Sequence, residues 1–372
     1  RVLFRSGHQP LIATFDLHRG AVETAGIAFH AVRPGLETFG SIETVVQRLF
    51  GSWRGAEYMV REIFMHHLAG TYADTLVAAR GADLVITHPL TFTARLIAEQ
   101  QCLPWVSTVL APLNLFSSIE PPLYPAGGWL QAVRALGVTS HRLVFNLLKR
   151  MIRHWEAPLR TFRAELGLPP STQQAQFEGQ FSPLLNLALF SPVLSAPLAD
   201  WPANTVMCGF ARYDGQGIAG EQAALQAFLE EGEAPIVFAL GSSAVIIAGE
   251  FWRHAAEAAQ SLGRRAILLT GRLPEQQPAL PAGIRAFQYL PYSAVFPHAA
   301  AIVHQAGIGT LAQALSAGRP QLIVPVAFDQ PDNARRAVKL GVARVLPFKR
   351  VTAARLVAEL SPLLNDAAYA AQ

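Results

Sequence analysis

The sequence predicts an α/β protein of two domains, each built on a parallel β-sheet. Its 372 residues correspond to about two domains of roughly 150 residues each. A hydrophobic content of 51% is enough for two cores. Short apolar runs alternate with helical stretches on both sides of residue 200, which is typical of βαβ units.

Eight short apolar runs predict strands that are buried on both faces. They are residues 7–14, 27–32, 83–87, 105–110, 236–240, 266–270, 301–304 and 321–326. Because helical stretches separate these runs, we expect βαβ units with parallel pairing.

The beginning of the chain has the pattern of a second strand rather than a first. A loop and helix over 15–25 follow the run at 7–14, so the opening strand and helix of the first domain are expected to be missing. The residues before it, Arg1 to Ser6 (RVLFRS), match the in-frame translation of a common short-read sequencing adapter, and we interpret them as an artefact. The alternative is a genuine first strand, since Val2, Leu3 and Phe4 favour strands.

Pro, Gly and polar residues concentrate at 191–202 and again at 213–217, as expected for a connection between domains. We therefore predict a first domain over 7–214, a linker over 215–233 and a second domain over 234–372.

Composition excludes several classes of protein. No run of about 18 apolar residues could span a membrane, and a net charge of +4 spread along the chain does not indicate nucleic-acid binding. Cys102 and Cys208 are far apart and lack a CxxC pattern. We interpret them as buried thiols in a reducing compartment, and we expect a cytoplasmic monomer.

One helical segment, 141–155, allows two interpretations. Apolar residues recur there at helical spacing beside a separate basic face. The apolar set is Val144, Leu148, Met151 and Trp155, and the basic set is Arg142, Lys149 and Arg153. The segment is either a surface helix whose long basic side chains cover its own domain, or a site of weak peripheral membrane contact.

The segment 287–333 carries the strongest indication of chemistry. An apolar strand ends at His304 and leads through Gly307 and Gly309 into a helix over 311–317. A strand, a glycine turn and a helix direct backbone N–H groups and the positive helix end toward an anion, and Thr310 adds a hydroxyl donor. The turn therefore predicts a phosphate site, although any tight crossover also needs glycine.

Taken together, three motifs resemble a known family. They are VHQAGIGT…AL.AGRP…VP…DQPDNA at 303–334, FALGSS at 238–243, and DLVITHP…PWVSTVLAP within 83–112. The chain resembles bacterial inverting GT-B glycosyltransferases akin to UDP-glucuronosyl, UDP-glucosyl and rhamnosyl transferases. The resemblance implies two Rossmann-like domains facing each other across a cleft. It also implies that the family's Gly-rich first strand and closing helix lie outside residues 7–372.

The resemblance assigns the donor's base and phosphates to particular residues. Tyr289 occupies the position of the family's aromatic ring against the pyrimidine, with Leu290 and Tyr292 near the base edge. The family's pyrophosphate-binding His aligns with Gln305, while His304 lies one place earlier. Either side chain is open as the phosphate donor at this point.

Other positions follow from the same resemblance. Gln313 stands where many relatives carry a ribose-binding Glu, and Asp329 with Gln330 matches the pair that holds the sugar hydroxyls. The loop facing the phosphates across the cleft comprises Gly241, Ser242 and Ser243.

The family's reaction is a single displacement in which a base takes the acceptor proton while the nucleoside diphosphate leaves. The helix dipole and backbone donors meet the leaving-group charge, so the resemblance implies neither a cofactor nor a metal, and the sequence has no Asp-x-Asp. The family's base lies on the loop after the first strand, which is expected to precede residue 7. His88 occupies the position of an Asp that orients the base, and the alternative is a loop histidine before Pro89.

The expected function is transfer of a hexose from a UDP- or dTDP-sugar to a hydroxyl of a small hydrophobic acceptor. Aromatic residues of the first domain favour such an acceptor: Trp53, Phe64, Phe92, Phe116, Tyr124 and Trp129. The alternatives are a nucleotide-sugar epimerase on the same fold and a non-catalytic nucleotide-sugar binder. The absence of a G-x-G-x-x-G after a strand argues against a dinucleotide oxidoreductase.

Overall fold

A computed structural model describes residues 6–51, 54–123, 132–133, 135–215, 217–218, 220–271, 280–366 and 368–371. The predicted artefact, apart from Ser6, lies outside these residues, as do Trp53, Tyr124 and Trp129. In the described part of the chain, every paired strand is parallel to its neighbours. The two parallel-sheet halves confirm the predicted fold class.

The first half contains two separate sheets. A two-stranded sheet pairs β1 (Leu11–Thr14) with β2 (Ala28–Ala31). A four-stranded sheet has the order β3-β4-β5-β6, comprising β3 (Val85–Thr87), β4 (Trp105–Val109), β5 (Asn186–Ala188) and β6 (Thr205–Met207). Strands that follow one another in the sequence are therefore neighbours in the four-stranded sheet.

Helices of the first half occupy the connections between these strands. They are α1 (Arg19–Thr24), α2 (Ile42–Gly51), α3 (Gly55–Tyr58, continued by a π-helix at Met59–Met65), α4 (Leu68–Ala78), α5 (Phe92–Gln100), α6 (Val138–Ile152) and α7 (Ala157–Glu165). Short 3₁₀ turns occur at Asp16–His18, Leu36–Phe39, Pro112–Leu115, Arg153–Glu156 and Glu178–Gln180.

The second half is organised around one six-stranded sheet. Its strands are β7 (Ile236–Ala239), β8 (Ala266–Leu269), β9 (Ile284–Phe287), β10 (Ala301–His304), β11 (Gln321–Ile323) and β12 (Ala343–Val345). The order is β12-β11-β10-β7-β8-β9. Residues of the central strands β7 and β10 are 0% exposed, as their unbroken apolar sequences predict.

Helices cover both faces of this sheet. They are α8 (Glu221–Glu230), α9 (Gly241–Ala244), α10 (Phe251–Ser261), α11 (Tyr292–Val295), α12 (Ile308–Ala317), α13 (Gln330–Lys339), α14 (Ala353–Asn365) and α15 (Ala368–Ala371). Short 3₁₀ turns lie at Val245–Ile247, Phe296–His298 and Phe348–Arg350. Trp252 on α10, 1% exposed, is among the largest buried side chains of the core.

The two halves meet through charged and apolar contacts. Glu120 of the first half accepts hydrogen bonds from Arg336 (2.8 Å) and Lys339 (3.2 Å) on α13. The backbone N–H of Leu123 donates to Asp332 Oδ1 (2.8 Å). The apolar part of the contact consists of Val109, Leu115, Ala188 and Phe190, with Phe210 and Ile308 packed against them.

The predicted linker is longer than the connection in the structure. Leu225 and Phe228 of α8 are each 4% exposed and pack in the core of the second half. This helix is therefore part of the second half, and the predicted linker over 215–233 includes residues that belong to that half.

The interpretation of the two cysteines as buried was wrong. Cys102 lies in the turn after α5, where its φ of 53° ends the helix, and Cys208 follows the last strand of the first half; both are exposed. Among the described residues, no helix is both long and apolar enough to cross a membrane.

Candidate functional site

The site residues predicted from the second half lie at the carboxyl edge of its sheet. Strands β7 and β10 are neighbours in the sheet. From β7 the chain continues to β8 and β9 on one side, and from β10 it continues to β11 and β12 on the other side. At such a reversal of strand order, the loops after the two strands diverge and leave a crevice, which is where parallel sheets bind ligands. Here β7 leads into the short helix α9 at Gly241, and β10 leads through residues 305–307 into α12.

The loop after β10 turns sharply into α12. Ala306 has a φ of 64°, and Gly307 is the residue that precedes the helix. No side chain caps the helix, and a Cβ added to Gly309 would meet no atom within 4 Å. Because the first N–H groups of a helix have no intrahelical acceptor, this open, uncapped end favours an anion.

His304 lies away from this anion site. It is 0% exposed, its Nδ1 accepts from the Ala306 N–H (3.1 Å), and its Nε2 donates to Gln321 Oε1 (2.9 Å). Burial lowers the pKa of His304 to about 4, so the ring is neutral at pH 7. Both ring nitrogens are bonded inside the protein, so His304 stabilises the turn. Neither nitrogen is left to donate to a phosphate, as one of the two predicted alternatives required.

Gln305 lies between the two loops of the crevice. Its side chain is 6% exposed, its Nε2 is 3.4 Å from Thr310 Oγ1, and its Oε1 is buried without a hydrogen-bond partner. A Cβ at Gly241, which has a φ of 69°, would collide with the Gln305 amide. Glycine at 241 therefore allows Gln305 to pack against the β7 loop, whose Ser242 and Ser243 remain exposed.

Two tyrosines lie beside the same edge. The Tyr289 hydroxyl accepts the Gly215 N–H (2.9 Å), while Glu221 Oε2 accepts the Tyr289 N–H (3.1 Å). The Tyr292 ring stacks on Phe296, with centroids 4.3 Å apart. Burial raises the pKa of Tyr292 to about 12, and its hydroxyl lies near Thr310 and the Gly241 backbone. Leu290 is 1% exposed, so only its main chain can reach a ligand.

A cavity of about 360 Å³ lies next to these tyrosines. Arg212, Asp214 and Gln313 line it, and Gln313 Nε2 donates to Asp214 Oδ1 (2.7 Å). The amide nitrogen predicted to bind a ribose is thus already bonded, and the Asp214 carboxylate joins it as a second polar group.

The loop after β11 brings a carboxyl group to the crevice. Asn333 Nδ2 donates both to Asp329 Oδ2 (2.7 Å) and to the Ala306 carbonyl (3.0 Å). Burial raises the pKa of Asp329 to about 6. Gln330 Oε1 accepts the backbone N–H of Val326 (2.8 Å), which leaves its amide nitrogen as the group that can face a ligand.

A contact between the halves fixes the backbone just before Asp329. Phe328 has a φ of 56°, and its ring packs edge-on against Phe50 of α2, with centroids 5.3 Å apart. A left-handed conformation is unusual for phenylalanine, so this interdomain contact stabilises the loop that presents Asp329.

His88 lies where β3 ends, on the exposed surface of the first half. Its Nδ1 accepts the Leu90 N–H (3.2 Å), so the proton of the neutral ring is on Nε2. Desolvation lowers the pKa of His88 below its ordinary value. In this geometry His88 offers a neutral N–H donor, which suits orienting a partner better than abstracting a proton.

The aromatic residues predicted for the acceptor have different surroundings. Phe92 is 3% exposed and belongs to the core of the first half, with Phe64 packed against the same cluster. Phe116 stacks on Phe145 and lines a cavity of about 1340 Å³ between α5, α6 and the sheet.

Two site residues were missed from the sequence, Asp214 and Asn333. Asp214 ends the predicted first domain, and only the fold brings it to Gln313. Asn333 belongs to the DQPDNA motif, and it lies four residues after Asp329 at the start of a helix. This spacing predicts that the two side chains can meet. Among the described residues, no three His, Cys, Asp or Glu side chains come together as metal ligands.

Comparisons with known proteins show what the whole chain resembles. Residues 264–372 match the family "Erythromycin biosynthesis protein CIII-like, C-terminal domain". The chain is 30% identical to the O-mycaminosyltylonolide 6-deoxyallosyltransferase of Streptomyces fradiae, over 98% of this chain and 85% of that protein.

Solved structures share the fold. The glycotransferase of kitacinnamycin matches with a TM-score of 0.69 and 20% identity, over 100% of this chain and 87% of the other. The glycosyltransferase VinC, solved in complex with dTDP, matches with a TM-score of 0.68 and 21% identity, over 99% and 87%.

Proposed function

The chain belongs to the bacterial GT-B glycosyltransferases, and we propose that it transfers a deoxyhexose from a dTDP-sugar to a hydroxyl of an apolar small molecule. The observation that carries this proposal is the crevice between β7 and β10, where an uncapped helix start, Gln305 and Asp329 converge.

The donor would lie along the carboxyl edge of the six-stranded sheet. The pyrimidine stacks on Tyr289, the diphosphate meets the N–H groups at the start of α12 with Thr310, and the sugar hydroxyls donate to Asp329. Asn333 holds the Asp329 carboxylate and the Ala306 carbonyl together, which fixes the distance between the sugar and phosphate ends of this site.

The choice of dTDP and of a deoxyhexose rests on the relatives. VinC was solved with dTDP, and the Streptomyces fradiae relative is named for a 6-deoxyallosyl group and a macrolide-like acceptor. A UDP-hexose is the second donor class to test.

In the proposed reaction the acceptor oxygen attacks the anomeric carbon as the bond to the β-phosphate oxygen breaks. The configuration inverts, dTDP leaves, and a base takes the acceptor proton. The helix start stabilises the charge that develops on the leaving diphosphate without a metal ion. His88, with its proton on Nε2, orients the groups around the acceptor rather than acting as the base.

Calorimetry and a product assay test the proposal together. We expect dTDP to bind more tightly than UDP, and Asp329→Ala to weaken an intact dTDP-sugar more than free dTDP; the exposed Asp83→Ala is the matched control. Equal losses for the sugar nucleotide and free dTDP would remove Asp329 from sugar binding.

The transfer itself is followed by mass spectrometry with apolar hydroxylated acceptors, and the anomeric configuration of the product by NMR. A product that retains the donor's configuration would contradict the single displacement. Donor binding without product over a broad acceptor panel would favour a non-catalytic nucleotide-sugar binder.

A further inference from the structure

The outward face of α6 exposes long apolar side chains to water. Leu143, Leu147 and Met151 are 72%, 58% and 62% exposed, and they follow one another at intervals of four residues. Residues four apart lie on the same face of a helix, so the three form a continuous apolar stripe. Leu136, just before the helix, is 73% exposed.

The fold does not need this stripe for its own core. The opposite side of α6 attaches the helix to the domain: His141 is 3% exposed, and Phe145 packs against Phe116 and Phe177. The helix therefore has more apolar surface than its own domain covers, which is unusual for a surface helix.

The charge around the stripe has one sign. The helix sequence VTSHRLVFNLLKRMI contains no acidic residue. Arg150 and, just after the helix, Arg153 are exposed, whereas Arg142 lines the cavity of the first half beside Phe145. Lys149 instead points inward, where Glu178 forms an ion pair with it. The outward surface of α6 is therefore apolar and cationic.

We propose that this face binds an anionic phospholipid surface, with α6 lying in the plane of the headgroups. The leucines and Met151 enter the boundary between headgroups and acyl chains, and the arginines pair with lipid phosphates.

Two other occupants fit the surface less well. A second copy related by a two-fold axis would bring the arginines of the two helices close together, and like charges in contact are destabilising. A protein partner is usually anchored by aromatic residues, and the stripe's three exposed apolar side chains are all aliphatic or thioether.

The position of α6 gives membrane binding a consequence for the molecule. Phe145, Asn146 and Lys149 on the same helix line the cavity of about 1340 Å³ in the first half. A bilayer on the outward face would thus lie one helix diameter, about 10 Å, from that cavity.

Flotation of the full chain with vesicles tests the proposal. We expect binding to vesicles of phosphatidylcholine and phosphatidylglycerol at a ratio of 7:3, little binding to phosphatidylcholine alone, and release when salt is raised from 0.05 to 0.5 M. Absence of binding to the anionic vesicles at low salt would overturn the proposal.

Paired variants separate the apolar from the charged contribution. Leu143→Gln with Leu147→Gln should lower vesicle partitioning roughly tenfold or more, and Arg150→Gln with Arg153→Gln should remove most of its salt dependence. Matched controls are Val193→Gln, at a residue 65% exposed elsewhere, and the exposed Arg80→Gln. These changes are on the surface, and circular dichroism checks that each variant is folded.

Other outcomes are equally informative. Vesicle binding that the Leu143 and Leu147 changes leave intact would show that another surface binds lipid. If those changes instead dissociate a dimer in light scattering, or abolish binding to an acidic polypeptide such as poly-glutamate without any vesicle binding by the parent chain, the membrane proposal is wrong.

Discussion

The two halves of the molecule use the same type of sheet with different degrees of burial. In the second half, all four residues of β7 are 0% exposed at the centre of six continuous strands. In the first half the strands belong to two sheets, and Leu11, Ile12 and Ile86 are 46%, 37% and 44% exposed. The half that carries the proposed donor site thus has the more completely buried scaffold, which favours a preformed site.

One ion pair from each half shows a similar difference in burial. Asp332 and Arg336 of the second half form an ion pair whose side chains are 0% and 3% exposed. In the first half the Arg33–Asp74 pair, at 62% and 20%, lies at the surface. Buried charge is costly unless it is fully bonded, so the Asp332–Arg336 pair depends more strongly on each partner than the Arg33–Asp74 pair does.

The largest expected effect is at that buried pair. Asp332→Ala removes a buried carboxylate that accepts from Arg335, Arg336 and the Leu123 N–H, and leaves Arg336 with Glu120 as its remaining carboxylate partner, so the free energy of unfolding should fall by about 3–5 kcal/mol. Urea unfolding followed by both fluorescence and circular dichroism measures it. Asp16→Ala, at an exposed pair with Arg19, is the control and should have no measurable effect.

The next effect compares the sheets directly. Ile267→Ala on β8, where the residue is 0% exposed, should cost about 2–5 kcal/mol because a cavity is left in a packed core. Ile86→Ala on β3 should cost less than about 1 kcal/mol, since the side chain is already partly in water. Similar losses at the two positions would show that the first sheet is covered in solution.

A smaller, pH-dependent effect is expected at Asp329. Its folded pKa of about 6 lies above the ordinary 3.8, so the folded state takes up a proton that the unfolded state does not between about pH 6 and 4. The free energy of unfolding therefore rises as the pH falls through that window. Because one pKa unit corresponds to about 1.4 kcal/mol, the increase from this group is at most about 3 kcal/mol.

Asp329→Asn should flatten that dependence, as measured by urea unfolding at pH 4 and pH 7.5. The same variant should bind a dTDP-sugar about 10- to 100-fold more weakly, because a hydrogen bond to a charged group is lost. An unchanged pH profile would show that Asp329 titrates at its ordinary value. Asp366→Asn, at the exposed end of the chain, is the control.

The smallest expected effect lies where the linker meets the second half. Tyr289→Phe removes the acceptor of the Gly215 N–H and should cost about 0.5–1.5 kcal/mol of stability. Nucleotide binding should be nearly unchanged because the ring that stacks on the base is kept. If dTDP affinity in calorimetry falls more than about tenfold, the hydroxyl itself contacts the nucleotide.

The sequence was most informative where local pattern and fold agree. All eight predicted strands are present, and the four of the second half are buried on both faces as predicted. The prediction of burial on both faces was wrong for β1, β2 and β3, which are partly exposed. Strands β5, β6, β9 and β12 were missed. Three of them, Asn186–Ala188, Thr205–Met207 and Ala343–Val345, are only three residues long and give too little periodicity to identify.

The candidate site was predictable in outline and not in its hydrogen bonds. Gly307 and Gly309 before a helix indicated the phosphate turn, and the resemblance supplied Asp329. Nothing local distinguishes His304 from Gln305, since the outcome depends on Gln321, which lies on a neighbouring strand.

The sequence by itself determined the α/β class, the division into two halves and the glycine turns, because these follow from hydrophobic spacing and from backbone conformations that only certain residues adopt easily. Tertiary structure alone decided which polar groups are left for a ligand. Asp214 reaches Gln313, Asn333 joins Asp329 to Ala306, and Phe50 packs on Phe328. Each of these contacts joins residues from different loops or halves, so it exists only after the chain has packed.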